Sequence, residues 1–449
     1  MARKRLNKKV ALIGSTVLLL ATMGAVVVIL RLSRDPVQFI ADGDAAWAAK
    51  DYDAARRNYG RAYSYSRSPE EKIDLLFKLA DVHRETQQWR KVLACWEQVI
   101  TSDPENLRAR LGWLKYRYML ADSLSGSGEG VSATWKEVHT QASDLVRLAS
   151  DRDLRRESKA QWEPSFGQAE EPGWDGGIKA LGPYLFLAKG RASFELAILG
   201  AATAPKELLS EAESSLQKAR ELDPNCADVY RFMAEVHFKR AEDAKSRGDM
   251  AAYEEATRAG ESVLTEAKAV AAGDPAAHIR YLSHKMEQAG RGGVETVRAA
   301  MQALEPQYEA LVERFPASAE AHGTLALFHS VYSMYSHADK GEDLLDQAIA
   351  ESQRAVALDE TSVIQARLAA RLLYRRFSVY GDDAALSKAI ALVEDALDLP
   401  DAQDTPGPRQ RAKQVNRLTL CSLLARFCIE RVTTLEDSAS ARVEMLAQA

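Results

Sequence analysis

A small residue, a bulky or apolar one four positions on and a further small or apolar one three beyond that recur down this chain, often ahead of a proline stop. Ala55/Tyr59/Ala62, Val92/Trp96/Val99 before Asp103-Pro104, Ala212/Leu216/Ala219 before Asp223-Pro224, Ala348/Ser352/Ala355 and Ala389/Val393/Ala396 before Pro400 share the spacing. Offsets of 4 and 7 return to within about 40° of the starting residue on a 3.6-residue helix, so each triplet is one packing face. A face rebuilt every few tens of residues predicts stacked helical hairpins, since one hairpin cannot bury its own face.

The chain has 449 residues and the pattern runs on without a clear break, which favours one elongated array over several globules. Its wealth of Ala, Leu, Glu, Arg and Lys predicts an all-α fold. Residues 1–34 hold seven of the 59 basic residues and none of the 64 acidic ones, which leaves the remainder at a formal −12. An acidic body lacks the basic stripe that phosphate backbones need, so no nucleic-acid partner is expected. Cys95, Cys226, Cys421 and Cys428 all lie in helical patterns and read as buried small hydrophobes. Cys421 and Cys428 are two turns, ~10 Å, apart on one helix, too far for a disulfide.

Val10–Leu30 is 21 residues without a charge, enough to cross a ~30 Å hydrocarbon core. A cleavable leader would be shorter and followed by a small-x-small site. Here Ala21 to Ala25 is followed by more membrane-grade sequence, so an uncleaved anchor over 10–32 is favoured. Five cations precede the span and two follow it, which predicts residues 1–9 in the cytoplasm and the repeats outside it. The opposite topology stays open. Ala21 and Ala25 form a small-xxx-small pair, a weak hint of an oligomer.

In residues 36–120 the hairpin register is clearest. Gly43 sits on a first helix and Ala55, Tyr59 and Ala62 on its second. Leu76, Leu79, Ala80 and His83 then lead through Trp89 to Val92, Trp96, Val99 and Pro104. This resembles the tetratricopeptide repeat, with Leu76 in place of the family Trp, Ala80 of Gly, His83 of Tyr and Val92 of Ala. A looser version recurs through roughly 205–400, within a second stretch of hairpins over 184–449. The resemblance implies a right-handed superhelical solenoid of antiparallel hairpins behind one transmembrane helix. Residues 409–431 read as one more first helix, with at best a partial partner over 436–449 and no polar capping helix.

Residues 121–183 break the register. Ser123–Gly130 is Ser/Gly-rich and Glu163–Pro183 is rich in Pro and Gly, with Trp162 and Trp174 in or beside it. A helix from Trp135 to about Lys159 is expected between them. The insertion reads either as a lip at a binding face or as a disordered excursion.

No phosphate-binding loop, HExxH, GxSxG or CxxC occurs in the sequence, so no catalytic residue, metal ligand or cofactor is assigned. His322 and His329, seven apart, and His278 and His284, six apart, read as structural. The resemblance implies that outward positions of first helices contact ligands. Carried onto this sequence these are Phe77, Asp81, Arg84, Arg231, Glu235 and Lys239. Mixed in sign, they could hold a peptide by charge-assisted hydrogen bonds, or be plain solvated surface. The expected function is a membrane-anchored scaffold with protein or peptide partners in a bacterial envelope. The alternative is the docking arm of an enzyme whose catalytic domain lies C-terminal to this chain.

Overall fold

The structure, a computed structural model, describes residues 36–124, 129–151, 178–200, 205–290, 292–403 and 409–448. The expected anchor over 10–32, half of the Ser/Gly linker and the Trp-bearing stretch up to residue 177 lie outside them. No helix among the described residues is long and apolar enough to cross a membrane.

Every described element is an α-helix or a turn. The helices are α1 (Pro36–Ala48), α2 (Tyr52–Tyr65), α3 (Pro69–Glu85), α4 (Trp89–Ser102), α5 (Leu107–Ser123), α6 (Glu129–Asp151) and α7 (Ile178–Ile198). There follow α8 (Pro205–Leu222), α9 (Ala227–Ser246), α10 (Met250–Val270), α11 (Pro275–Ala289) and α12 (Val294–Arg314). The last are α13 (Ala319–Tyr335), α14 (Ala338–Leu358), α15 (Val363–Tyr380), α16 (Asp383–Leu397) and α17 (Gln410–Gln448). They group into two compact units, one ending at Trp113 and one beginning at Leu114, so that α5 contributes to both.

Helix starts follow from short polar side chains that satisfy the free N–H groups of a first turn. Asp51, Asp249 and Asp382 accept from the amide three residues on, as do Ser68, Ser318 and Ser362, and Asp274 from the amide two on. Between hairpins a shared corner recurs. Asp103, Asp223 and Asp359 each accept from the amide two residues on (3.2, 3.0 and 3.1 Å). Six residues past the proline, Arg110 Nε, Tyr230 Oη and His322 Nε2 reach the carbonyls of Pro104, Pro224 and Pro316 at 2.5, 2.9 and 3.1 Å. The proline ends one helix, and its carbonyl fastens the start of the next hairpin.

Within the second unit, consecutive helices from α6 to α17 pack on one another, and α7 touches α9, α9 touches α11, α11 touches α13, and so on to α17. First helices thus contact both their own second helix and the next first helix, the register of a TPR-like stack of α-hairpins. In the first unit α1 packs on α2, α2 on α3 and α3 on α4. The 4/7 triplets form the seams: all fifteen residues are buried, twelve of them completely. Glycines admit their bulky members. A β-carbon at Gly43 would lie 2.5 Å from the Tyr59 ring, and one at Gly190 2.7 Å from Leu216.

Four expectations need correction. Residues 436–448 do not fold back as a partner helix; α17 continues unbroken to Gln448. The helix expected from Trp135 starts six residues earlier, at Glu129, and helix is in place from Ile178, with Pro183 inside α7. Near a helix start proline removes one hydrogen bond, while Leu181, Leu185, Ala188 and Ala192 give α7 a fully apolar buried stripe. Of the cysteines only Cys95 is buried, and burial pushes its thiol up to about 11. Cys226 is half-buried and Cys421 and Cys428 are exposed, because α17 is buried along Leu420 and Phe427, about 100° around the helix from them.

Candidate functional site

A polar cleft of about 590 Å³ lies between α9, α10 and α11. Local sequence sets its frame. Gly248 takes φ +76°, a conformation that favours glycine, and Asp249 caps α10, so α9 reverses into α10 in three residues. Asp274 and Pro275 start α11 beside them. Residues 235–245 of α9, residues 280–287 of α11 and the first turns of α10 therefore surround one space.

Its wall is aromatic. The Phe238 ring stacks on the His284 imidazole, with centroids 4.1 Å apart and planes 14° from parallel. Room for that ring comes from Gly260, where a β-carbon would approach it to 2.5 Å. Burial holds His284 below the ordinary histidine range, opposed by Glu261, whose Oε1 lies 3.5 Å from Nε2. Glu261 also receives Gln288 and stands 3.4 Å from Lys285. Burial raises its pKa, but these partners outweigh that and lower it, so a charged carboxylate joins α10 to α11.

The rim is charged and alternates in sign. Glu235 of α9 pairs with Arg280 of α11, and Glu242, Lys245 and Glu287 line the same space with Tyr253 and Thr257. Lys245 lies 5.7 Å from the Tyr253 ring centre. Burial, then repulsion from Arg231, lowers the Arg280 pKa, and Glu287 opposes them. The groups suit the capture of a polar, partly charged segment through forked and charge-assisted hydrogen bonds. Among the described residues no group of three or more His, Cys, Asp or Glu converges as metal ligands.

The six residues expected from the sequence have different fates. Phe77 is buried, with the Arg108 guanidinium 3.9 Å above its ring, so it does not face a ligand. Asp81 and Arg84 pair with each other at 3.1 Å, each about a quarter exposed. Burial raises the Asp81 carboxyl against the pull of Arg84 and Arg108. In the second unit, Arg231 pairs with Asp228 at 2.9 Å and lies over Phe232, and its buried Nε has no acceptor. Lys239 pairs within α9 with Glu242 and Asp243 at 2.8 and 3.2 Å. Of the six, Glu235 lines the cleft. Sequence reading missed Phe238, Tyr253, Arg280 and His284. The available signal was Gly260, a glycine in the α10 pattern followed at offsets 4 and 7 by Leu264 and Ala267, both buried.

No family model and no curated protein matches the chain. Among solved structures it is similar to YrrB, described as a TPR protein with an unusual peptide-binding site. The identity is 13%, over 50% of this chain and 91% of that one, with a TM-score of 0.25. It is similar to Acl4, an assembly chaperone of RpL4 (11% identity, 78% and 100% covered, TM-score 0.35). It is also similar to the P58(IPK) TPR domain (14%, 87% and 99%, TM-score 0.21). These overlaps are loose, and the TPR-like class of the fold rests on the packing register of its hairpins.

Proposed function

We propose that this protein is a non-enzymatic, membrane-anchored TPR-like scaffold whose α9–α11 cleft holds an extended segment of a partner protein. The observation that carries the reading is the Glu235–Arg280 pair at the mouth of an aromatic-walled cleft. An incoming carboxylate takes the Arg280 fork, a neighbouring cation takes Glu235, and the exchange costs little because both groups stay paired. The uncharged Val10–Leu30 run and the cations before it supply the anchor and set the repeats outside the cytoplasm, where the scaffold organises envelope proteins.

A photo-cross-linking amino acid at position 253, inside the cleft, and one at the exposed Ala269 on the same helix test this in intact membranes. Position 253 should give a discrete protein adduct that Arg280→Glu abolishes, and position 269 should not. Equal adducts at both positions, or an adduct at 253 indifferent to Arg280→Glu, would overturn the cleft as the binding site.

A further inference from the structure

Helix α17 has two opposite apolar faces. Leu420 and Phe427 are fully buried in the core cluster that also holds residues of α15 and α16, with Leu423 and Leu424 packed beside them. On the far side Val415, Leu418, Ile429 and Val432 are 42, 69, 66 and 54% exposed. Ser422 and Ala425 lie between them and are exposed too. Steps of three and four residues link all six, the spacing of a seam between two helices in contact. In the other hairpins a first helix is covered by its own second helix. Here α17 runs on as one helix, and no second helix follows it among the described residues.

The stripe is its own complement when reversed. Laid antiparallel on a second α17, Val415 meets Val432, Leu418 meets Ile429, and Ser422 meets Ala425. Each pair then occurs twice, as a two-fold axis requires. The two smallest residues fall at the axis, where they let the backbones approach closely, and the larger ones fill the space on either side. The seam from 415 to 432 is about 26 Å long. Two such helices with their flanks bury on the order of 1,000 Å² in total, the lower bound for a specific interface. We propose that α17 is a homodimerisation helix and that its partner is the α17 of a second copy, antiparallel.

The exposed cysteines make the register measurable. Cys421 and Cys428 lie on one flank of the stripe, and in an antiparallel pair that flank faces itself. Cys421 of one copy then comes near Cys428 of the other, offset by about 3 Å along the axis. In a parallel pair the same flank faces the opposite one, so neither thiol meets a thiol. A full-length chain carrying Cys421→Ser, co-expressed with a differently tagged chain carrying Cys428→Ser, should form a covalent dimer with a short bismaleimide. Peptide mapping should join residues 418–426 to 427–431. Either chain alone should give far less of this product. Independently, the detergent-solubilised full chain should sediment as a dimer, and Leu418→Glu with Ile429→Glu should make it monomeric with unchanged helix content, at least tenfold weaker in self-association. A monomeric parent, a dimer indifferent to the double glutamate variant, or cross-linking as strong in the single chains as in the mixture would each overturn the proposal.

Discussion

Trp96 lies against Gly112: a β-carbon at position 112 would stand 2.9 Å from the indole, and Trp96 is 8% exposed. The second helix of one hairpin thus inserts its bulkiest side chain where the next first helix has none. Trp96→Ala should cost ~3–5 kcal/mol, because a void of that size does not collapse. In a stack whose hairpins contact only their neighbours the loss stays local. Hydrogen exchange should accelerate in α3–α5 and stay near parent values in α15 and α16. Equal loosening in α15 and α16 would contradict a loss confined to neighbouring hairpins.

Glycines in the helices should divide by what lies above them. Gly60 in α2 has nothing within 4 Å of a β-carbon, so Gly60→Ala should raise stability by about 0.5–1 kcal/mol through helix propensity alone. Gly260 meets the Phe238 ring, so Gly260→Ala should lower stability by ~1–3 kcal/mol. Urea unfolding of the two variants beside the parent measures both signs. A stabilising Gly260→Ala would refute the tight contact behind the Phe238–His284 stack.

Acidification should destabilise the fold. Burial lowers the pKa of His83, His237, His278, His284 and His329. As pH falls below the ordinary value of about 6.5, the unfolded chain takes up protons that the folded chain refuses. Stability is therefore full above that value and is lost as pH falls through it toward the folded values. The Tm should drop between pH 7.5 and 5.5, and His329→Gln should reduce the drop, since neither His329 nitrogen has a hydrogen-bond partner. Asp81 and Glu195, raised by burial, act in the opposite sense once carboxyls begin to protonate. A Tm that rises over this interval would show the histidines to be charged in the fold.

The cation count at the two ends of the Val10–Leu30 run sets a topology. A reporter that fluoresces only in the cytosol, fused after Ala449, should stay dark. Bright fluorescence would place the hairpins in the cytosol and change the available partners.

Helix period and helix stops were legible in the sequence because both are local. A 4/7 triplet of small and bulky residues has to face a neighbour whatever that neighbour is, and all five triplets are buried. Asp-Pro corners stop the second helices, as α8, which ends at Leu222 ahead of Asp223-Pro224, illustrates. The binding positions were not legible in that way. Whether an outward position of a first helix is free depends on what a helix dozens of residues away places over it. Arg108, 31 residues on, covers Phe77, whereas Arg280, 45 residues on, turns Glu235 into half of a cleft mouth. His284 looked unremarkable until Phe238 came to stack on it, which required Gly260 on a third helix. Cys421 and Cys428 show the converse: an apolar helical setting predicts burial only if something packs on that side of the helix. Periodicity is local, and it sets the hairpins and their seams. Which faces stay open follows from neighbours distant in the chain, because only they can cover a face.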